Sequence, residues 1–192
     1  MQTIDLKASK REVAGKAAIK ALRAEGQVPC IIYGGNEEIA LTVSEKDFNK
    51  VIYTPIVYLI NLSIDGAVRQ AIVKDIQFHP VSGKILHADF LEVLPDKPIV
   101  IGIPVELTGS AAGVKAGGKL QLEMRKLNVK GLAANVPETL KVDVTELGLG
   151  KVIKVGELKY DNIEVLNAKA AVVVAVKMTR AAIASAQAEG KK

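Results

Sequence analysis

Residues 57–73 read VYLINLSIDGAVRQAIV and set the class of fold. Alternation along the first strand places four apolar side chains on one face: Tyr58, Ile60, Leu62 and Ile64. Asp65-Gly66 is a two-residue turn of the kind that joins antiparallel strands, because both residues tolerate a positive φ angle. The sequence therefore predicts a hairpin from Val57 to Ile64 and from Ala67 to Val73, with one buried face.

Working outward from the hairpin, most of the chain consists of short segments rich in Val, Ile and Leu that are separated by Gly, Pro, Asn and Asp. Nine of these segments are predicted strands: Val28 to Tyr33, Ile39 to Val43, Ile85 to Val93, Ile99 to Leu107, Lys126 to Leu132, Leu140 to Val144, Val152 to Val155, Ile163 to Leu166 and Ala170 to Val176. The pattern predicts a mainly β protein with accessory helices.

Two helices are predicted in the first half of the chain. The first runs from Gly15 to Glu25, and its spacing puts cations on one side and apolar groups elsewhere: Lys16, Lys20 and Arg23 against Ile19 and Leu22. The second begins after the N-cap residue Ser44 and buries three apolar residues: Phe48, Val51 and Ile52.

A domain boundary is predicted at Leu94-Pro95-Asp96-Lys97-Pro98, where two prolines bracket polar residues between two strand patterns. We therefore expect a first domain over residues 1–94 and a second, mainly β domain over residues 95–177. Residues 178–192 are rich in Ala and end in Glu-Gly-Lys-Lys, which predicts a frayed helix or a disordered tail.

Positive charge is concentrated near the start of the chain. The whole protein has a formal net charge of +5, but residues 1–94 contain eleven basic and eleven acidic residues. The stretch from Lys7 to Arg23 nevertheless holds six basic residues against the single acid Glu12: Lys7, Lys10, Arg11, Lys16, Lys20 and Arg23. Such a cluster favours a polyanionic partner, most simply a nucleic acid.

The cysteine content and the hydropathy of the chain argue against a disulfide-rich protein and against a membrane-spanning one. The single cysteine, Cys30, excludes an internal disulfide framework, and its apolar neighbours predict that it is buried. No run approaches the roughly 18 apolar residues of a membrane helix, and the start of the chain lacks the apolar core of a signal peptide. We expect a cytoplasmic protein without a membrane partner.

The histidines offer the main candidate chemistry. His87 and Asp89 lie two residues apart on a predicted strand, so they share a face and the carboxylate can hold the imidazole. An enzyme would use this pair as a base with its orienting group, but no nucleophile motif and no cluster of metal ligands accompanies it. We predict no catalytic residue, no metal and no cofactor. The pair either closes a strand edge or meets ribose hydroxyls and base edges, and Tyr33 either packs in the core or reaches a phosphate or ribose.

Motifs in both halves of the chain resemble one family. In the first half they are Arg11-x-x-x-Gly15-Lys16-x-x-x-Lys20-x-Leu22-Arg23, Gly26-x-x-Pro29-x-Ile31-Ile32-Tyr33-Gly34, Gln77-x-His79-Pro80 and His87-x-Asp89-Phe90. In the second half they are Pro104-Val105-x-Leu107-x-Gly109-x-Ala111-x-Gly113-Val114-x-x-Gly117-Gly118-x-Leu120 and Pro137-x-x-Leu140-x-Val142-Asp143-Val144. In this order they resemble bacterial ribosomal protein L25, the 5S rRNA-binding family also called general stress protein Ctc, in its long two-domain form.

The resemblance implies a fold and a function. The first domain would be a β-barrel with accessory helices that docks on the loop E region of 5S rRNA. The second would face the central protuberance of the large ribosomal subunit, with neighbouring ribosomal proteins as further partners, and the protein would be a monomer off the ribosome. Carried over by position, four cations would contact phosphates and four other residues would complete the RNA face: Arg11, Lys16, Lys20 and Arg23, then Tyr33, Gln77, His87 and Asp89.

One alternative stays open beside this reading. The second domain carries its excess positive charge in a spread rather than a clustered form, which is also typical of a protein-interaction module without specific RNA recognition.

Overall fold

A computed structural model describes residues 1–12, 15–35 and 37–179. The chain forms two compact units: Met1–Ile99 with Leu132–Glu138, and Val100–Gly131 with the chain from Thr139 onward. The tail predicted over residues 178–192 falls outside the described residues from position 180 on. No helix within the described ranges is long and apolar enough to cross a membrane.

The first unit is built on a closed six-stranded barrel. Its elements are β1 Gln2–Lys10, α1 Lys16–Ala24, β2 Gln27–Tyr33, β3 Ile39–Ser44, α2 Glu45–Ile52, β4 Tyr58–Ile64, β5 Ala67–Phe78 and β6 Ile85–Glu92. Around the barrel the strands follow the order β1-β3-β2-β6-β5-β4. The pairs β1–β4 and β2–β6 are parallel, and the other pairs are antiparallel.

The predicted hairpin is confirmed as β4 and β5. Asp65 and Gly66 have φ angles of 48° and 91°, as a two-residue turn that follows the twist of the strands requires. The strand after the turn continues to Phe78, well beyond the predicted end at Val73, because β6 pairs along its second half.

The barrel core is apolar throughout. Phe48 of α2 and Phe90 of β6 are fully buried, and their rings contact each other with centroids 5.5 Å apart. The helix α2 begins after Ser44 as predicted and buries Phe48 and Val51, whereas Ile52 is only partly buried. This helix therefore contributes two side chains to the barrel core, while α1 contributes no buried residue to it.

The second unit consists of two small sheets. The chain from residue 99 forms β7 Ile99–Thr108, α3 Ala112–Lys115, β8 Lys119–Leu122, β9 Lys126–Gly131, β10 Leu140–Asp143, β11 Val152–Lys154, β12 Glu164–Val165 and β13 Val172–Lys177, with a 3-10 turn at Val155–Glu157. A further 3-10 turn, Ala133–Asn135, belongs to the first unit. One sheet has the order β10-β7-β9-β12 and the other β11-β13-β8. The prediction of a mainly β protein with an N-terminal barrel and a second β domain is confirmed.

Candidate nucleic-acid interface

The outer face of β6 carries the histidine–carboxylate pair. Ala88 and Phe90 point into the core, so His87 and Asp89 lie on the outside with side chains 20% and 32% exposed. Nδ1 of His87 is 2.7 Å from Oδ1 of Asp89. Because a carboxylate only accepts hydrogen bonds, Nδ1 is the donor, and Nε2 is the ring nitrogen that Asp89 leaves for another partner.

Two neighbouring strands add polar side chains to the same face. Tyr33 ends β2, which pairs with β6, and Gln77 of β5 lies opposite His87. Burial raises the pKa of the Tyr33 hydroxyl, and the negative charges of Asp89 and Asp75 raise it further. The structure thus brings Tyr33, Gln77, His87 and Asp89 together on three adjacent strands.

Asp75 belongs to this face although the sequence analysis did not name it. It lies opposite Asp89 in the pairing of β5 with β6, one residue after a register shift. That shift arises in the pairing of β5 with β6, the next strand along the chain, and the alternation within either strand does not reveal it. The presence of Asp75 gives the face two carboxylates, which attract hydrogen-bond donors and repel phosphates.

Arg23, near the end of α1, is bound to the barrel. Its Nε and one Nη donate to the carbonyl oxygen of Leu86, at 3.0 and 2.7 Å. Leu86, the residue before His87, has no partner in the pairing of β5 with β6. Gln77 pairs with His87 and the next residue, Phe78, pairs with Ile85, so Leu86 forms a bulge. A residue left over at such a bulge turns its backbone groups away from the regular ladder, which is how this carbonyl comes to face the helix.

Arg11, just after β1, is bound to a different strand. Its backbone N–H donates to the carbonyl of Ala40 at 2.9 Å, and its Nε donates to the carbonyl of Leu41 at 3.1 Å. Both acceptors lie on β3, which is separated from β6 only by β2. The two arginines therefore fix the segment between them at two points on either side of β2.

Lys16 and Lys20 are the exposed cations of that segment. Both lie on α1 and are exposed, whereas Ile19 and Leu22 are half-buried. Arg23, predicted to share the side of the lysines, is half-buried like the apolar residues because its guanidinium binds the barrel. Neither ammonium group forms a salt bridge with any residue that the structure describes. Both groups are thus available to an external anion.

A small notch lies beside Arg23. Its volume is about 80 Å³, and it is lined by residues of β2, α1, the start of α2 and the β5–β6 loop: Arg23, Gln27, Val28, Glu45, His79, Ser82, Lys84, Ile85 and Leu86. His79 holds the loop through Nδ1, which accepts the backbone N–H groups of Val81 and Ser82 at 3.3 and 3.1 Å. Nδ1 of His79 thus already accepts two hydrogen bonds from the backbone of its own loop.

The buried thiol contributes no chemistry to this surface. Cys30 is fully buried in the barrel, as predicted, and burial raises its pKa to about 12. A thiol in that state is not a nucleophile at neutral pH. Across the described residues, no group of three or more His, Cys, Asp or Glu could hold a metal ion.

The eight predicted site residues thus occupy neighbouring elements. Four successive barrel strands, β3, β2, β6 and β5, carry or anchor six of them, and α1, which packs on β2, carries the other two. The polar side chains form the centre of the surface, and the lysines lie on the helix beside it. Their contact with RNA remains a prediction.

Comparison with known proteins divides the chain into two matches. Residues 6–90 match the model of the ribosomal L25p family, and residues 98–180 match that of the C-terminal domain of ribosomal protein TL5. The chain is 51% identical to the large ribosomal subunit protein bL25 of Bacteroides fragilis, over 100% of both chains. It is 49% identical to the bL25 of Bacteroides thetaiotaomicron over 100% of both chains, and 50% identical to that of Porphyromonas gingivalis over 95% of this chain and 96% of the relative.

Proposed function

Since the chain belongs to the ribosomal L25p family, we propose that it is a structural protein of the bacterial large ribosomal subunit, located on the cytoplasmic ribosome, that binds 5S rRNA at its loop E region. The resemblance found in the sequence motifs is confirmed at the level of the family. A ribosomal protein of this family is not an enzyme, which confirms the prediction of a non-catalytic role.

One observation supports RNA as the partner of the first unit. Lys16 and Lys20 on α1 are exposed and form no salt bridge with the part of the chain that the structure describes. Their helix packs on β2, one of the three strands of the polar face, whose named charged groups are mainly carboxylates. Lysines that neutralise phosphates release counterions, and this supplies affinity without sequence information. The geometry suits a partner whose backbone passes along α1 and whose sugars and bases meet β2, β5 and β6.

The carboxylates restrict what can lie on the strand face. Asp75 and Asp89 repel a phosphate placed directly on them, but they accept hydrogen bonds from ribose 2′-hydroxyls and from amino groups of bases. The 2′-hydroxyl is exposed in the wide minor groove of an RNA helix and is absent from DNA. We therefore assign selection for RNA to His87, Asp89, Tyr33 and Gln77, and assign phosphate contacts to the basic segment from Arg11 to Arg23. The family resemblance implies four such contacts, by Arg11, Lys16, Lys20 and Arg23.

Mobility shifts with isolated 5S rRNA at several salt concentrations test this proposal. Lys20→Ala should flatten the slope of log K against log salt by about 0.7 to 0.9, as expected for one lost phosphate contact. The matched control is Lys46→Ala, which removes an equally exposed lysine from α2 and should leave the slope unchanged. Equal affinity of the wild-type protein for 5S rRNA and for a generic RNA duplex would contradict specific recognition.

The second unit supports an additional partner class. It forms its own pair of sheets and matches a separate family domain over residues 98–180, which supports two domains; we propose their division at residues 94–95. We assign to it contacts with neighbouring ribosomal proteins of the central protuberance, and we expect the isolated protein to sediment as a monomer. If the chain were only a protein-interaction module, its partners would remain bound after nuclease treatment and no preference for 5S rRNA would be measured.

A further inference from the structure

We infer that Arg11 and Arg23 are positioning residues, which hold the basic segment across β2 through backbone carbonyl groups so that Lys16 and Lys20 lie beside the polar strand face. The consequence for RNA rests on the proposed function, but the anchoring itself is a property of the free protein. The inference departs from the family-derived assignment, in which both arginines contact phosphates.

The helix α1 needs an anchor because little else holds it. It has nine residues, none of them buried, and its N-cap Gly15 has no side chain that could cap the helix. Isolated helices shorter than about 12 to 15 residues are marginal in water. Among the described residues, the hydrogen bonds from Arg23 to Leu86 are the side-chain hydrogen bonds that join α1 to the barrel, beside the packing of the half-buried Ile19 and Leu22.

The contact of Arg23 has the geometry of an anchor. Two N–H groups of one planar guanidinium converge on a single carbonyl oxygen, which restricts both the distance and the orientation of the side chain. The acceptor belongs to Leu86, the neighbour of His87, so the same bond sets the distance from α1 to the polar strand face. A lysine could supply the charge but not this fork of two donors.

Arg11 provides the second attachment. Its side chain and its own backbone N–H both bind β3, so the chain leaves β1 in a fixed direction. Because β2 lies between β3 and β6, the two arginines hold the segment on both sides of the strand that ends in Tyr33. Lys16 and Lys20 lie in the chain between these two attachments.

Lysine substitutions distinguish an anchor from a phosphate ligand. A phosphate ligand depends mainly on positive charge, so Arg23→Lys should retain most of its effect. An anchor depends on the two converging N–H groups, so Arg23→Lys should behave like Arg23→Ala. The control variant is Lys20→Ala, which removes a charge from the same helix without touching the anchor.

The first experiment uses the full-length protein without RNA. Amide hydrogen exchange over residues 15–26, followed from sub-second times, should accelerate about tenfold in both Arg23→Ala and Arg23→Lys, because a charge-assisted bond is lost. Lys20→Ala should match the wild type, and exchange in β2 and β4 should not change in any variant, which shows that the barrel remains folded. Unchanged exchange over residues 15–26 in Arg23→Lys would overturn the inference.

The second experiment measures affinity for 5S rRNA against salt concentration. We expect Arg23→Lys and Arg11→Lys each to weaken binding about tenfold without changing the salt slope. Lys16 and Lys20 would still contact phosphates, but ordering the loosened helix on binding would cost more free energy. Lys20→Ala should flatten the slope by about 0.7 to 0.9. If Arg23→Ala flattens the slope equally and Arg23→Lys restores it, Arg23 is a phosphate ligand and the inference is wrong.

The two experiments separate the failure of this inference from the failure of the proposed function. If the wild-type protein shows no preference for 5S rRNA, the proposed function is wrong, while the exchange experiment still decides whether Arg23 anchors α1. If the RNA binds specifically and exchange is the same in all variants, the proposed function stands and the anchor is refuted.

Discussion

Replacing Phe90 by Ala should selectively destabilise the barrel. Phe90 is fully buried on β6, and its ring packs on Phe48 of α2 with centroids 5.5 Å apart. Truncating a buried Phe costs about 3 to 5 kcal/mol, because apolar burial is lost and a cavity remains. That is a large part of the about 5 to 15 kcal/mol that stabilises a typical domain.

The single cysteine provides an assay specific to this unit. Cys30 is fully buried, and burial raises its pKa to about 12, so alkylation requires the barrel to open. When opening is in rapid equilibrium, a loss of about 3 to 5 kcal/mol raises the labelling rate by roughly two to four powers of ten. The second unit contains no cysteine and does not contribute to the signal.

Phe78→Ala is the matched control, because Phe78 lies on the adjacent strand β5 and is 44% exposed. Its rate should rise by no more than about tenfold, since less apolar area is buried there. Equal labelling rates in Phe78→Ala and Phe90→Ala would refute the core assignment. Rapid labelling of the wild-type protein would refute the closed barrel itself.

Three further predictions test other parts of the structure. Gly35→Ala should destabilise the barrel by no more than about 1 kcal/mol, because a Cβ there would displace only the flexible end of Glu92, whose carboxylate pairs with Arg69. Cys30 labelling measures this, and the cost should disappear when Glu92→Ala is combined with it, so a larger or persistent cost would contradict the explanation. Asp89→Asn should reduce the preference for 5S rRNA over generic duplex RNA while leaving the salt slope unchanged, and a flattened slope in mobility shifts would contradict its role. Hydrogen bonds from the side chain and backbone of Thr145 lower the pKa of Asp143, so this carboxylate stabilises the folded state above its unfolded pKa and loses that effect as pH falls through the folded value. Thermal melts of wild type and Asp143→Asn should therefore differ at pH 7 and converge as the pH falls below about 4, the usual pKa of an aspartate, and a constant difference would contradict the assignment.

Local periodicity was sufficient to predict much of the fold. The hairpin of β4 and β5, both helices of the first unit and most strands follow from patterns that span fewer than a dozen residues. These elements can be predicted because they follow from residues close together in the sequence, as the hairpin follows from the apolar alternation before Asp65-Gly66. The same reasoning applies to Cys30, whose apolar neighbours predicted its burial.

Other elements were missed for identifiable reasons. The strand β1 alternates Ile4, Leu6 and Ala8 with polar residues, but its lysines were interpreted only as charge. The elements α3 and β8 have four residues each, too few to show a period. Closure of the barrel requires β1 to pair in parallel with β4, where Gln2 lies opposite Tyr58. Pairing over that distance has no local signature; the family resemblance implied a barrel but not this pairing.

The candidate RNA surface also combines features that the sequence predicts with features that depend on tertiary pairing, and the difference affects which residues are assigned to RNA binding. Sequence reveals charged side chains, but it does not reveal backbone carbonyl groups, because these become available only through tertiary pairing. The carbonyl group of Leu86 can accept from Arg23 because the pairing of β5 with β6 shifts register there. The carbonyl group that accepts from the Arg11 side chain belongs to Leu41 on β3. If Arg11 and Arg23 are anchors, as we infer, a count of cations overstates the number of phosphate ligands. Four phosphate contacts would give a salt slope of roughly −3, whereas two lysines on α1 account for only about −1.4 to −1.8 of it. The difference between these values measures how much of the positive charge near the amino end serves the fold rather than the RNA.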